Sequence, residues 1–133
     1  MKQDRFKLRV LNEMDEKEEQ HPEIELLYVL EGFMEVDKEE TISHMKENDV
    51  LLINTNEKHQ LRGSKDILYM QIMISYNWVS EMSRSIDVNF ECDSTKDASD
   101  RYNELRKFLR ILLKHYLETH GDTMNFGHIA LCS

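Results

Sequence analysis

Hydrophobic residues in the first two thirds of the chain form short runs separated by polar turns. Each run has the length of a β-strand, and the run at 24–30 is apolar or aromatic at six of its seven positions, which predicts a strand buried on both faces. Short strands with regular turns between them favour a β-sandwich or β-barrel. The predicted strands cover residues 6–11, 24–30, 33–36, 41–45, 50–53, 59–61 and 67–74.

The pattern changes to a helical period after residue 96. Asp97 is suited to cap a helix, and the residues that follow carry two adjacent apolar stripes. One stripe is expected to cover the barrel and the other to pair with a second copy of the chain, so we predict a homodimer. The stripes are Tyr102, Leu105, Leu109, Leu112 and Tyr116, and beside them Phe108, Leu113 and Leu117; the dimer is expected to be centred on Leu105, Leu109, Leu112 and Tyr116.

The length of 133 residues, 40% of them hydrophobic, is sufficient for one core. We predict one structural domain, with a barrel over 1–96 and a helical segment over 97–133. A further helix is predicted to begin at Asn125, and the sequence stops at Ser133 in the middle of its apolar pattern. We therefore expect the chain to be truncated.

The composition argues against several classes of function. A formal charge of −9 without a basic cluster predicts that this chain by itself does not bind nucleic acid. No apolar stretch has the length of a membrane span and the N-terminus has no hydrophobic signal core, so we expect a cytoplasmic protein without a membrane partner. Cys92 and Cys132 form no CxxC pair and are expected to be reduced. Because no phosphate loop or nucleophile motif occurs, we expect neither an enzyme nor a cofactor.

Three segments carry a resemblance to a known family. HPEIELLYVLEG at 21–32 and NDVLLINTNEKHQL at 48–61 resemble two adjacent barrel motifs of AraC-type bacterial transcription regulators, and YNELRKFLRIL at 102–112 resembles the start of their dimerisation helices. The resemblance implies a mainly β fold, a cupin-like double-stranded β-helix followed by one long helix and the start of a second. It also implies an effector-binding and dimerisation domain that acts on DNA only through a C-terminal helix-turn-helix domain absent from this chain.

The family resemblance implies a small polar effector, a sugar or related metabolite, in the mouth of the barrel. His21, Glu25 and His59 are the polar candidates, because imidazole and carboxylate groups hydrogen-bond such a ligand. Gln71 lies in an otherwise apolar strand, where it either faces the cavity or is a satisfied buried amide. Three aromatic residues are candidates to cover an apolar sugar face, with ordinary core packing as the alternative: Tyr28, Tyr69 and Trp78.

The broader cupin pattern also suggests a metal position. It places Glu19, His21, Glu25 and His59 where a metal would be held, and such donors suit iron, manganese or zinc. However, Glu19 stands where the pattern has its first His, and other positions of the pattern differ: Glu13 replaces a Gly, and Asn48, Asn54 and Asn56 replace its Gly, Pro and Gly. We therefore expect no bound metal. A metal-dependent cupin enzyme and a dimerisation module without a ligand are the two alternatives.

Overall fold

A computed structural model of the chain describes residues 6–78, 92–97 and 100–120, without the side chain of His120. The chain divides into two compact units, 1–97 and 98–133. The first contains the strands and the second contains a long helix, as the hydrophobic pattern predicts. The elements are β1 (Phe6–Leu11), β2 (Ile24–Glu31), β3 (Met34–Lys38), β4 (Ile42–Met45), β5 (Val50–Ile53), β6 (His59–Gly63), β7 (Leu68–Ile74) and α1 (Asn103–His120).

The strands form two antiparallel sheets. The larger sheet has the strand order β1-β7-β2-β5, and the smaller sheet has the order β4-β3-β6. In the larger sheet Arg9 pairs with Gln71 and Gln71 with Leu27, while Glu25 pairs with Met73. Because side chains alternate along a strand, these residues share one face of the sheet. This register brings polar residues of three strands together at one end of the interior.

The core is built from inward-facing residues of both sheets, as expected for a cupin-like fold. β2 is buried along most of its length, at Ile24, Leu26 and Tyr28 on one face and at Leu27 and Val29 on the other. This confirms the prediction of a strand covered on both faces. The interior cluster consists of Leu27, Val29, Met34, Val36, Met45, Leu51, Ile53, Leu61, Ile67 and Tyr69.

Three turn residues have left-handed backbone conformations. Gly32 has a φ of 83°, and a Cβ atom there would lie 2.6 Å from Ser64 Oγ, so both conformation and space require glycine. Asn48 and Asn56 have φ values of 75° and 58°. Asparagine tolerates this region better than most residues. Two of the three positions where the chain departs from the cupin glycines, Asn48 and Asn56, therefore keep the backbone conformation that glycine favours.

The helical part begins later than the sequence predicts. Asp97 does not cap the long helix; its amide donates to the Ser94 carbonyl oxygen at 3.4 Å and ends a short 3-10 turn over Ser94–Lys96. Asp93 caps that turn by accepting from the Thr95 amide at 2.9 Å. Such local side-chain bonds compete with helix formation. A second 3-10 turn, Asp100–Tyr102, precedes α1.

Burial along α1 differs from the predicted dimer seam. Leu109 and Leu113 are buried in the chain, so Leu109 is not available at a surface. Phe108 and Ile111 are 54% and 65% exposed. The other residues of the predicted seam, Leu105, Leu112 and Tyr116, are half-buried. The predicted helix from Asn125 lies outside the described residues, and within those residues no helix is both long and apolar enough to cross a membrane.

Candidate functional site

A cluster of ionisable side chains lies at one end of the barrel interior. Glu25 and His59 are buried, with 1% and 2% of their surface exposed, and His21 is half-buried beside them. Glu25 Oε1 lies 3.0 Å from His21 Nε2 and 3.3 Å from His59 Nε2. The two imidazole rings meet edge to face with their centroids 5.0 Å apart. The structure therefore brings together the three polar residues that the sequence singled out.

Backbone hydrogen bonds between two loops place the histidines next to each other. Glu19 and His59 pair as an isolated antiparallel bridge, with N–O distances of 2.8 and 3.0 Å. The Asn56 amide donates to the His21 carbonyl oxygen at 2.7 Å, and the Thr55 hydroxyl donates to the Pro22 carbonyl oxygen at 2.5 Å. These bonds join the loop that contains His21 to the loop before His59, although the two loops are about 35 residues apart in sequence. The segment before β2 needs no regular strand to position His21.

The hydrogen-bond partners of the imidazoles define which nitrogen carries the hydrogen. His59 Nδ1 lies 2.8 Å from the Glu57 carbonyl oxygen, and His21 Nδ1 lies 3.1 Å from that of Glu23. Because a carbonyl oxygen only accepts, each Nδ1 is the donor. In a neutral imidazole the lone pair is then on Nε2, which faces the Glu25 carboxylate. Such an arrangement is stable only when a positive charge, on an imidazole or on a bound group, lies between them.

His59 Nε2 has an unfilled hydrogen-bonding capacity. Among the buried side-chain atoms of the described residues it is the one without a hydrogen-bond partner. Its 3.3 Å contact with Glu25 Oε1 has the length of an ion pair but not the geometry of a hydrogen bond. A buried polar atom without a partner is costly, and native structures retain few of them. Such an atom at the end of a barrel is a natural contact for a ligand.

A hydrogen-bond chain extends the cluster from the interior to solvent. Gln71 Nε2 donates to Glu25 Oε2 at 2.9 Å, while Gln71 Oε1 accepts from Arg9 Nε at 3.1 Å and from Arg9 Nη2 at 2.6 Å. Gln71 therefore belongs to the site. Arg9 is a site residue that the sequence reasoning missed. The strict alternation from Lys7 to Val10 shows that Lys7 and Arg9 share a face of β1, but only the pairing with β7 shows that this face is the inner one.

The cluster alters the acidity of its members. Burial acts to raise the pKa of Glu25, but the facing His59, the Gln71 amide and His21 outweigh it, so the pKa is lowered. For His59, burial acts to lower the pKa, but Glu25 and the Glu57 carbonyl raise it overall. Burial and the nearby Glu25 charge raise the pKa of Tyr69 to about 12. The favoured state is an ionised Glu25 beside a protonated His59.

A cavity of about 610 Å³ opens at this end of the barrel. Arg9, His21 and Glu23 contribute polar groups to its wall, and Met73 and Tyr76 contribute apolar surface. The cavity has the size of a small-molecule site. Since Arg9 and His21 line the cavity and also contact the Gln71–Glu25 pair, a bound molecule would lie against the cluster. We call this cavity the mouth.

The aromatic candidates lie in different places. Tyr28 is on the face of β2 opposite to Glu25 and does not line the mouth, and its hydroxyl donates to Asn48 Oδ1 at 2.5 Å. Tyr69 faces the interior, where it belongs to the core and its hydroxyl donates to the Glu13 carbonyl oxygen at 3.3 Å. Trp78 does not line the mouth; Tyr76, two residues earlier, does. Residues 76–78 are helical, so the alternation of side chains along β7 does not continue to Trp78.

The donor set of the cluster suits a transition-metal ion. Ligand atoms of His21, Glu25 and His59 all lie within 4.8 Å of one another, and two imidazoles with one carboxylate are typical ligands of iron or zinc. The unpartnered His59 Nε2 fits a metal ligand as well as a contact to an organic molecule. Glu19, which stands at the first ligand position of the pattern, is not part of this group. Its contribution is the backbone bridge to His59 and a nearby negative charge.

Comparison with solved structures finds cupins. The cupin domain of Cnp3 from Schizosaccharomyces pombe matches with a TM-score of 0.50 and 14% identity, covering 62% of this chain and 61% of that one. A cupin-2 domain protein from Shewanella frigidimarina has a TM-score of 0.49 and 13% identity, with 56% and 74% covered. A cupin superfamily protein from Desulfitobacterium hafniense has a TM-score of 0.48 and 20% identity, with 56% and 72% covered. At these identities the similarity concerns the fold.

The family comparison is more specific. No curated protein sequence matches the chain significantly. Residues 14–124 match the AraC-like ligand binding domain. This range includes both barrel motifs and α1, and it also includes His21, Glu25, His59 and Gln71. The mainly β architecture and the long C-terminal helix agree with that match. The chain therefore belongs to the family of AraC-like ligand-binding domains and has a cupin-like fold.

Proposed function

We propose that the chain is the effector-sensing and dimerisation part of an AraC-type transcription regulator in the bacterial cytoplasm. A small polar metabolite, such as a sugar, binds in the mouth and contacts His21, Glu25 and His59. The bound metabolite alters how the helical unit meets a second copy and a C-terminal helix-turn-helix domain. An effector changes an equilibrium only if it binds one arrangement more tightly than the other.

The observation that carries this proposal is the incomplete polar cluster behind an open cavity. His59 Nε2 is buried without a hydrogen-bond partner, and Glu25 beside it is held ionised. Structural clusters normally satisfy every buried group. A hydroxyl-bearing ligand supplies both a donor for Glu25 and a partner for His59. The match of the chain to a ligand-binding family supports the same interpretation.

Binding of metabolites to the 133-residue chain tests the proposal. A panel of sugars, sugar acids and other small metabolites is screened by thermal shift, and each hit is measured by isothermal titration calorimetry. We expect Glu25→Gln and His59→Gln to weaken a hit by about 10- to 100-fold, the effect of one charge-assisted hydrogen bond. His44→Gln is the matched control, because His44 is exposed and ion-paired with Glu35 at 3.5 Å. Equal affinity in all variants would move the site away from this cluster.

Dimerisation is proposed to use the exposed side of α1. Phe108 and Ile111 are one turn apart, and exposed apolar side chains at this spacing can form a two-fold helix seam. Leu109 is buried in the chain and therefore serves the fold. We expect Phe108→Glu with Ile111→Glu to give a monomer that keeps its β-rich circular dichroism. A wild-type chain that is monomeric at high micromolar concentration in sedimentation would contradict this proposal.

DNA binding is proposed to require the C-terminal domain. The chain has a charge of −9, so phosphate contacts are unfavourable for it as a whole. We expect no retardation of duplex DNA by this chain alone in a gel shift at moderate salt. Specific retardation would contradict the proposal that DNA binding requires the C-terminal domain.

A metal-dependent cupin enzyme is the second candidate function, favoured by the His21, Glu25 and His59 donor set. In that case the three side chains would hold the ion, which would supply Lewis-acid chemistry. Both oxygens of Glu25 already have protein contacts, Oε2 with Gln71 and Oε1 with the imidazoles. We therefore expect less than stoichiometric metal by elemental analysis after purification without chelators. One tightly held equivalent that is lost in His59→Ala would favour the enzyme.

A further inference from the structure

Two cationic side chains stand together at the rim of the mouth. Lys7 and Arg9 lie two residues apart on β1, and their strand partners on β7 are Met73 and Gln71. Residues at this spacing project from the same face of a strand. Both side chains line the mouth. The rim therefore carries two positive charges that a molecule entering the cavity must pass.

Neither cation has a carboxylate partner within the described residues. Arg9 directs two of its N–H groups at the neutral Gln71 oxygen, at 3.1 and 2.6 Å. Other cations of the same barrel lie close to carboxylates: Lys38 Nζ is 3.4 Å from Glu57 Oε1, and Arg62 Nη1 is 3.1 Å from Glu35 Oε2. The chain has 26 acidic residues against 17 basic ones, so two cations in one cavity without a carboxylate contact among the described residues are unusual.

The carboxylates near the mouth are already engaged. Glu25 is buried between the two imidazoles, and Glu23 Oε1 lies 3.7 Å from His21 Nδ1. The Gln71 amide separates Glu25 from Arg9, with its nitrogen towards the carboxylate and its oxygen towards the guanidinium. Arg9 thus keeps its remaining N–H groups for another acceptor. Among residues 6–78, 92–97 and 100–120, no carboxylate forms an ion pair with either rim cation.

We infer that the mouth binds a compact organic anion, whose carboxylate or phosphate group is held by Arg9 and Lys7. This inference rests on the proposed function and specifies its ligand class. A guanidinium presents a planar set of donors that matches carboxylate and phosphate oxygens, and a lysine adds a point charge. Phe6, Met73 and Tyr76 line the same cavity and give the body of the ligand an apolar surface. The polar groups of that body face His21 and the cluster behind it.

Pairs of related probes, each with one anionic and one neutral member, test the inference. The pairs are glucuronate with glucose, glucose 6-phosphate with glucose, and benzoate with benzyl alcohol. Each is titrated into the isotope-labelled 133-residue chain and followed by backbone and arginine side-chain NMR shifts. We expect saturable shifts at residues 6–9, 21–23 and 73–77 with the anionic member of at least one pair, and affinity at least about tenfold above its neutral partner.

Variants distinguish a specific site from general attraction to cations. Arg9→Gln and Lys7→Gln should each weaken the anion by about tenfold or more, and Arg9→Lys should recover part of the loss at Arg9 because it restores the charge. Arg62→Gln is the control, since it removes an arginine of the other sheet and should leave anion binding unchanged. Both rim side chains are exposed, so we expect each variant to remain folded. Unfolding curves of each variant check this expectation.

The outcomes separate this inference from the proposed function. A neutral probe that shifts the mouth residues as strongly as its anionic partner overturns the anion inference and leaves ligand sensing in place. Anion binding that is equal in Arg9→Gln, Lys7→Gln and wild type also overturns it. If no probe or panel metabolite of either charge shifts these residues, both the inference and the proposed function fail.

Discussion

Two polar clusters in the described part of the barrel differ in how completely their hydrogen-bonding groups are satisfied. The mouth cluster consists of Arg9, His21, Glu25, His59 and Gln71, and it leaves His59 Nε2 without a hydrogen bond. The exit cluster lies where the chain leaves the barrel and consists of Ser43, Asp49, Asp93 and Ser94. Ser94 Oγ donates to Asp49 Oδ1 at 2.7 Å and accepts from the Val50 amide at 2.8 Å.

The remaining contacts of the exit cluster are complete as well. Ser43 Oγ donates to Asp93 Oδ2 at 2.9 Å, and the Lys46 amide donates to Asp49 Oδ2 at 3.0 Å. The mouth is lined by Arg9 and His21 of the mouth cluster and by no member of the exit cluster. Complete internal bonding is what a cluster needs to hold two segments together. The exit cluster therefore has the bonding of a cluster that serves the fold, and the incomplete mouth cluster supports the proposal that a ligand binds there.

The largest expected effect is the loss of stability on breaking the exit cluster. Asp49→Ala leaves the Ser94 hydroxyl and the Lys46 amide without their acceptors in a buried place, which costs roughly 2–4 kcal/mol of unfolding free energy. Urea unfolding followed by circular dichroism measures the change. Asp15→Ala is the control, because Asp15 is exposed and paired with Lys17. An Asp49→Ala variant as stable as wild type would remove the distinction between the clusters.

A smaller stability effect is expected in the mouth cluster. Glu25→Gln keeps the shape of the side chain, and its amide can donate to the lone pair of a neutral His59 Nε2. We expect the unfolding free energy to change by no more than about 1 kcal/mol at neutral pH, while ligand binding is weakened by about 10- to 100-fold. A loss as large as that of Asp49→Ala would show that the mouth cluster also serves the fold.

The difference in unfolding free energy between wild type and Glu25→Gln should depend on pH. Glu25 has a lowered pKa, so its stabilising contribution is present above its ordinary value of 4.5 and is lost as the pH falls through the lowered pKa. His59 has a raised pKa, so its contribution is present below its ordinary value of 6.5 and is lost as the pH rises through the raised pKa. We expect wild type to exceed Glu25→Gln in unfolding free energy most clearly between pH 4.5 and pH 6.5. Urea unfolding of both proteins across acidic, intermediate and alkaline pH measures the difference, and a constant difference would contradict the paired charges.

The smallest effect is expected at an exposed ion pair outside both clusters. Arg62 and Glu35 side chains are 49% and 32% exposed, and their 3.1 Å contact is therefore screened by water. Arg62→Gln should change the unfolding free energy by about 0.5 kcal/mol or less. A cost comparable to that of Asp49→Ala would mean that distance, and not burial, determines the stability contributed by polar pairs in this barrel.

Several features of the site were predictable because they depend on local patterns. The predicted strands at 6–11 and 50–53 have the observed bounds, and His21, Glu25, His59 and Gln71 were identified as candidates before any geometry was known. The barrel motifs and the alternation of side chains are sufficient to predict these strands and these candidate residues. That Tyr28 lies on the other face from Glu25 is not predictable from the sequence, because a strand that is apolar on both faces gives no indication of which face is the interior.

The remaining features depend on contacts between distant segments. Arg9 enters the site only through the pairing of β1 with β7, and Asp97 ends a 3-10 turn because Asp93 and Ser94 bond locally and to the barrel. The sequence alone determined the strand pattern, the helix and the polar residues available for chemistry, since these follow from the period of hydrophobic positions and from residue type. Tertiary structure decided which polar atoms face each other and which remain unpartnered, because strand register and loop pairing set distances that no local pattern encodes.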